Sequence, residues 1–178
     1  MIKHKDQRVA IFVDAQNMYH SAKNLYNSYV NFGELLKQSV SGRQLVRALA
    51  YGITSPGADE SKFLEALDKQ GFELRLKDLQ VFAGGAKKGD WDVGMAVDAI
   101  KIADKVDVVV LVTGDGDFIP LVRYLQENKG CLVELVSFER STSSKLLNEV
   151  DDRFDLGSDE PRFLLRGGHS KPRYRGKR

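Results

Sequence analysis

Two stretches of the chain are apolar at every position and then meet carboxylates. Val9–Val13 runs into Asp14, and Val108–Val112 runs through Thr113 and Gly114 into Asp115-Gly116-Asp117. An unbroken apolar run of this length predicts a strand buried on both faces, as in a parallel sheet covered by helices. Around these strands the period changes. Met18, Ala22, Leu25 and Tyr29 predict a helix after the first strand. Asn31 and Glu34 have capping-box spacing ahead of Phe32, Leu35 and Leu36, which predicts a second, short helix. Leu45–Tyr51 reads as a strand between turn residues, and Phe63, Leu64 and Leu67 mark a helix closed by Gly71. Phe72–Lys77 alternates apolar and charged residues, the signature of a strand with one wet face near a sheet edge. A glycine-rich basic loop, residues 84–89, precedes a helical pattern from Trp91 to Asp104. Phe118, Leu121, Val122 and Leu125 predict a helix ended at Gly130. Leu132–Val136 predicts one more strand, and Ser141–Ser144 can cap a last helix through Val150. This alternation predicts a three-layer α/β/α, Rossmann-like domain on a mostly parallel central sheet of about five strands.

Composition narrows the classes. At 178 residues, 42% hydrophobic and 29% charged, the chain has the balance of one soluble domain able to build a core without disulfides. Its single cysteine, Cys131, excludes a disulfide framework and a cysteine-rich zinc site, and fits a reducing cytoplasm. No apolar stretch is long enough to span a bilayer, and MIKHKDQ lacks the apolar core of a secretion signal. The net charge of +2 conceals a division. Residues 161–178 hold seven Lys or Arg and no acid. With those set aside, 20 basic residues face 25 acidic ones in residues 1–160, a balance of −5. An acidic body with a basic end suits a protein that handles polyanions, and a solubilising end explains the tail equally well. Order is expected to fade after residue 157, leaving 158–178 as a basic, flexible tail.

The candidate chemistry lies in the acids. In an open α/β sheet, ligands bind outside the C-terminal ends of the strands. If the two apolar strands are neighbours, Asp14, Asp115 and Asp117 meet at that edge, and Asp92 in the first turn of the following helix supplies a fourth carboxylate. Crowded anions repel unless a cation lies between them, so the pattern points to a divalent-metal site. Each acid also has a structural explanation. Asp14 can cap the helix that follows, although Asn17 could cap it as well and leave Asp14 free for the ion. Asp117, followed by Phe118 and Pro120, is well explained as an N-cap, and Asp115 only weakly so. Asp98 is six residues beyond Asp92, about 120° around the helix, so the two do not readily share one ion. Asp98 is expected to support the site or to lie outside it.

Other chemistries find no support. His4, His20 and His169 are scattered without ligand or triad spacing. Neither a G-x-x-x-x-G-K-[ST] loop nor a G-x-G-x-x-G after the first strand is present.

FVDAQNMY, KGDWDVGMAVDA and VVLVTGDGDFIPLV, in that order, resemble the NYN domain of the PIN-like nuclease superfamily, particularly its LabA-like bacterial branch. The resemblance covers roughly residues 8–156. It implies a PIN-like fold, an acidic pocket for Mg²⁺ or Mn²⁺, and cleavage of RNA. By this resemblance Asp14, Asp92, Asp115 and Asp117 are the metal-binding and catalytic acids. Asn17 shapes the pocket, and Thr113 supplies the hydroxyl of an S/T-G-D-x-D-F motif. Asp90-Trp91 lengthens the link between Gly89 and Asp92 relative to the family pattern.

The expected activity is a metal-dependent ribonuclease in which the ions activate a water for in-line attack. Lys87 and Lys88 beside the site, and Arg173 and Arg175 in the tail, are the expected RNA contacts, with Phe163 and Tyr174 as stacking residues. RNA is the expected partner, a homodimer is an allowed assembly, and no membrane is involved. The alternatives are an inactive RNA-binding or regulatory module and, further off, a metal-dependent phosphatase. Gln16 stands where an aspartyl-nucleophile phosphatase would want an acid.

Overall fold

The computed structural model describes residues 3–54, 58–78, 80–81, 87–88 and 90–166, with backbone alone for 58–63, 78, 80–81, 87–88 and 166. In chain order the elements are β1 (Arg8–Asp14), α1 (Ala15–Tyr26), β2 (Ser28–Val30), α2 (Phe32–Val40), β3 (Gln44–Thr54), α3 (Ala58–Lys69), β4 (Glu73–Asp78), β5 (Gln80–Val81) and β6 (Lys87–Lys88). There follow α4 (Asp92–Ala103), β7 (Val108–Val112), α5 (Ile119–Lys129), β8 (Leu132–Ser137), α6 (Ser144–Glu149), β9 (Asp152–Asp155), α7 (Glu160–Phe163) and β10 (Leu164–Arg166).

The main sheet has six strands in the order β4-β3-β1-β7-β8-β9, every pair parallel. Moving away from β1, the chain builds one half of the sheet through β3 and β4. It then returns to build the other half through β7, β8 and β9. The order therefore reverses between β1 and β7, and in such sheets the crevice above that reversal is where ligands bind. Val13 lies level with Val112 across the pair, so Asp14 and Thr113 emerge side by side at the C-terminal edge.

Alternation along β1 explains the layers. Val9, Ile11 and Val13 point into a core shared with α1, α2 and α3. Ala10 and Phe12 point into a second core with α4, α5 and α6. Both cores are apolar, and all five residues of β7 are completely buried. The sheet is thus covered on both faces, as its apolar runs require. Among the described residues, no helix is long and apolar enough to cross a membrane.

The expected five strands become six because Asp152–Asp155, sequence DRFD, extends the sheet beyond β8. Its single apolar residue gives no strand signal, and its place at an edge leaves it half wet. The expected loss of order after residue 157 is also corrected as far as Arg166. Phe163 is fully buried, packing on Phe154 with ring centroids 5.3 Å apart, and β10 pairs antiparallel with β2. Tyr29, expected to extend the first helix, lies on β2, because Asn27 turns the chain with a left-handed φ of 46°.

Candidate metal centre

Asp14 ends β1 and begins α1. Its Oδ1 accepts the backbone N–H of Asn17 at 3.0 Å, so Asp14 itself caps the helix and the alternative assignment of the cap to Asn17 is corrected. Asn17 turns sideways instead, its Oδ1 accepting the Gly114 N–H at 2.9 Å. This bond ties the first turn of α1 to the loop after β7. The second oxygen of Asp14 faces the Thr113 hydroxyl at 3.4 Å, and that same hydroxyl accepts the Asp115 N–H at 3.2 Å. Thr113 is fully buried, so it acts as a fixed link between the two acidic loops.

The loop after β7 is held from above. Ser143 N–H donates to the Gly114 carbonyl at 3.0 Å, and a Cβ on Gly114 would meet the Ser141 carbonyl at 3.1 Å. At Gly116 a Cβ would meet the Ser143 hydroxyl at 2.8 Å. These glycines serve close packing against residues 141–143. Asp115 rather than Asp117 makes the cap, accepting the Asp117 N–H at 2.9 Å at the start of a 3-10 turn. The expected N-cap role of Asp117 is thereby corrected. Its side chain is left exposed at the rim.

Asp92 enters from the other face, at the first residue of α4. What aims it is Trp91, whose Nε1–H donates to the Gly52 carbonyl at 2.8 Å and whose ring meets Tyr51 edge-on at 5.4 Å. The extra Asp90-Trp91 step in the sequence is therefore an anchor that pins the start of α4 across β3. Gly94 makes room for it, since a Cβ there would lie 2.6 Å from the indole. Gly94→Ala is expected to displace the ring and to cost about 1–3 kcal/mol by overpacking. Trp91 is the chain's only tryptophan, so a red shift of its fluorescence reports the displacement directly.

Asp92, Asp115 and Asp117 each present a carboxylate oxygen, all within 4.8 Å of one another. No Lys or Arg forms an ion pair with any of the three among the described residues. Burial raises the pKa of Asp92, and the neighbouring charges of Asp115, Asp90 and Asp117 raise it further against the opposing Lys77. Asp14 stands outside this triad but feels it. Burial pushes its carboxyl up to about 6 despite the Asn17 bond, with Asp92 and Asp115 adding in the same direction. Among the described residues Lys77, whose ammonium lies 4.8 Å over the Trp91 ring, is the cation acting on Asp92, and the sequence marked it only as a strand residue.

Asp98 does not join the acids. It accepts the Tyr51 hydroxyl at 3.0 Å and faces Arg75 at 3.6 Å, on the flank of α4 toward β3 and β4. Lys87 and Lys88 form β6, and their side chains lie outside the described residues, as do Arg173 and Arg175 entirely. Phe163, expected to stack on RNA, is core.

Three carboxylates converge on the edge of a parallel sheet, as in many α/β proteins, and comparison with known proteins shows the family. The NYN domain profile matches residues 8–157. The chain belongs to the NYN-domain family. It is 26% identical over 168 residues to the low amplitude and bright protein LabA of Synechococcus elongatus, with 85% of each chain covered. It is 28% identical over 161 residues to an uncharacterized protein of Methanocaldococcus jannaschii, spanning 86% of this chain and 57% of that one. A crystal structure of a protein of unknown function from Vibrio parahaemolyticus superposes with a TM-score of 0.83 at 36% identity, covering 93% of this chain and all of that one. The chain is thus a LabA-like NYN protein, and its parallel six-stranded sheet is the PIN-like architecture. In this NYN domain Asp92, Asp115 and Asp117 of those motifs lie together, with Asp14 outside the triad.

Proposed function

We propose that this NYN domain is a divalent-metal-dependent ribonuclease. The observation that carries the reading is the convergence of Asp92, Asp115 and Asp117 within 4.8 Å at the reversal of the sheet, with Asp14 half-buried beside them. The donor set fits Mg²⁺ or Mn²⁺, since hard cations prefer carboxylate oxygens, and the open rim at Asp117 leaves space for further ligands. Bound ions would supply Lewis-acid activation of water and neutralise charge on the phosphodiester. The chain's own residues hold the oxygens in place. Asp115 is fixed by the Asp117 and Thr113 bonds, and Asp92 by the Trp91 anchor. Lys77 stands near enough to Asp92 to meet an approaching phosphate. The reading requires no protein nucleophile, and its products are a 5′-phosphate and a 3′-hydroxyl.

Both Asp14 and Asp115 also act as helix caps, which favours as second reading an RNA-binding module that keeps its acids for structure. Cleavage of a labelled RNA by metal-stripped protein, with and without Mn²⁺ or Mg²⁺, separates the two. The nuclease reading predicts cutting only with metal, lowered about 100- to 1,000-fold in Asp92→Asn. RNA bound but never cut, across both ions and several RNAs, would leave the binding module.

A further inference from the structure

The segment pressed on the acidic loop leads directly into α6, whose second residue is Lys145. Leu146 is buried in the second core and α6 packs against the Gly116–Phe118 turn, so the start of this helix is fixed beside the acids. Lys145 itself is exposed. Its α carbon stands about 5–6 Å along the chain from that of Ser143, whose N–H holds the Gly114 carbonyl and whose hydroxyl crowds Gly116. The lysine therefore lies beside the turn that carries the exposed Asp117.

Neither the helix dipole nor an ion pair accounts for a lysine here. A cation in the first turn of a helix opposes the dipole, and α6 carries no acid there to offset it. Glu149, one turn on, is where an i, i+4 ion pair would form, but Arg123 takes both its oxygens at 2.8 and 3.0 Å. Among the described residues Lys145 forms no ion pair, with Asp117 or any other acid. The charge around it also departs from the rest of the domain. Residues 140–148 hold Arg140 and Lys145 and no acid, although residues 1–160 carry five more acids than bases. Phosphates approaching four carboxylates are repelled by whatever charge the bound ions leave, and a cation at the rim offsets that repulsion.

We infer that Lys145 binds a backbone phosphate of an RNA strand whose neighbouring phosphodiester lies at the acids. The inference rests on the nuclease reading for the identity of the polyanion. A lysine on its flexible four-carbon stem meets phosphate as a point charge and reads no base, so the contact is independent of sequence. It gives the Asp117 side of the site its hold on the substrate.

The test is fluorescence anisotropy with a labelled single-stranded RNA of about a dozen nucleotides, in Ca²⁺, which takes carboxylate oxygens, at a series of KCl concentrations. Lys145→Gln is expected to flatten the slope of log affinity against log salt by about 0.7, the share of one single-strand phosphate. Lys145→Arg, which keeps the charge, is expected to retain the wild-type slope. Lys105→Gln removes another exposed lysine, just before β7 at the opposite edge of the sheet, and is expected to leave the slope unchanged. Thermal melts check the fold, and Lys145→Gln is expected to melt no lower than the wild type, since it relieves the dipole. A wild-type slope in Lys145→Gln overturns the inference, as does equal flattening in Lys105→Gln or no RNA binding by the wild type. A slope flattened in Lys145→Arg as well overturns it too, and so does a lowered melting temperature in Lys145→Gln, which would give the lysine a structural duty. Metal-dependent cutting with an unchanged Lys145→Gln slope would sink this inference alone. A flattened Lys145→Gln slope without cutting in Mg²⁺ or Mn²⁺ would sink only the nuclease reading.

Discussion

Metal-free Asp14→Asn protein is expected to unfold at a higher temperature than the wild type at neutral pH while losing metal-dependent cleavage. Asp14 is held largely out of water, and burial pushes its carboxyl from an ordinary value near 3.8 up to about 6. In the unfolded chain the same group titrates near 3.9. Between those values the folded state holds a proton that the unfolded state has lost. Stability is therefore greatest below the unfolded value and falls as pH rises to about 6, beyond which the charged, buried carboxylate imposes a constant cost. A shift of about two pH units corresponds to at most about 3 kcal/mol. Asparagine removes the charge and keeps the cap, because Asn and Asp are equally good N-caps. The gain in melting temperature is expected to be several degrees above pH 7, to shrink as pH falls, and to vanish near pH 4. Thermal melts across that range check it. A variant less stable than the wild type at every pH would mean that the carboxylate is already compensated in the folded chain.

Arg43→Met is expected to give the largest loss of stability. Arg43 is buried beneath the sheet, with both terminal nitrogens on the Glu134 carboxylate at 2.6 and 2.9 Å. Its Nε and Nη2 also donate to the carbonyls of Val40 and Ser39. Removing the guanidinium leaves Glu134, itself 4% exposed at the side chain, with only the partly exposed Lys3 at 3.2 Å. Breaking such a pair costs about 3–5 kcal/mol, whereas replacing both partners with apolar residues is close to neutral. Arg43→Met with Glu134→Leu should therefore recover most of the loss, which urea unfolding of the single and double variants measures. Equal loss in both would mean that packing, rather than the stranded charge, sets the cost. The pair lies in the turn after α2 and on β8, so cleavage by the folded fraction is expected to be unchanged.

Much of this architecture was legible along the chain because its two central strands are buried on both faces and apolar throughout Val9–Val13 and Val108–Val112. The meeting of Asp14 with Asp115 followed from those runs ending level with each other. The roles inside the cluster were less legible. Whether Asp115 or Asp117 caps the turn depends on the loop being pressed under Ser143, a contact made across more than two dozen residues. Trp91 reads as an irregularity until Gly52 on β3 is seen accepting its N–H. Lys77 gained its relation to Asp92 only through the packing of β4 beside β3. DRFD and LLR lack strand patterns because one forms a half-wet edge and the other pairs outside the main sheet.

Manganese binding and RNA cleavage measured in one titration test the central claim most directly. Bound Mn²⁺ is followed by electron paramagnetic resonance, and cutting of a labelled RNA is read from the same samples, for the wild type and Asp115→Asn. The account predicts that the cleavage rate rises with Mn²⁺ occupancy in the wild type, and that both are lost in the variant. Undiminished cleavage by Asp115→Asn without bound Mn²⁺ would contradict it.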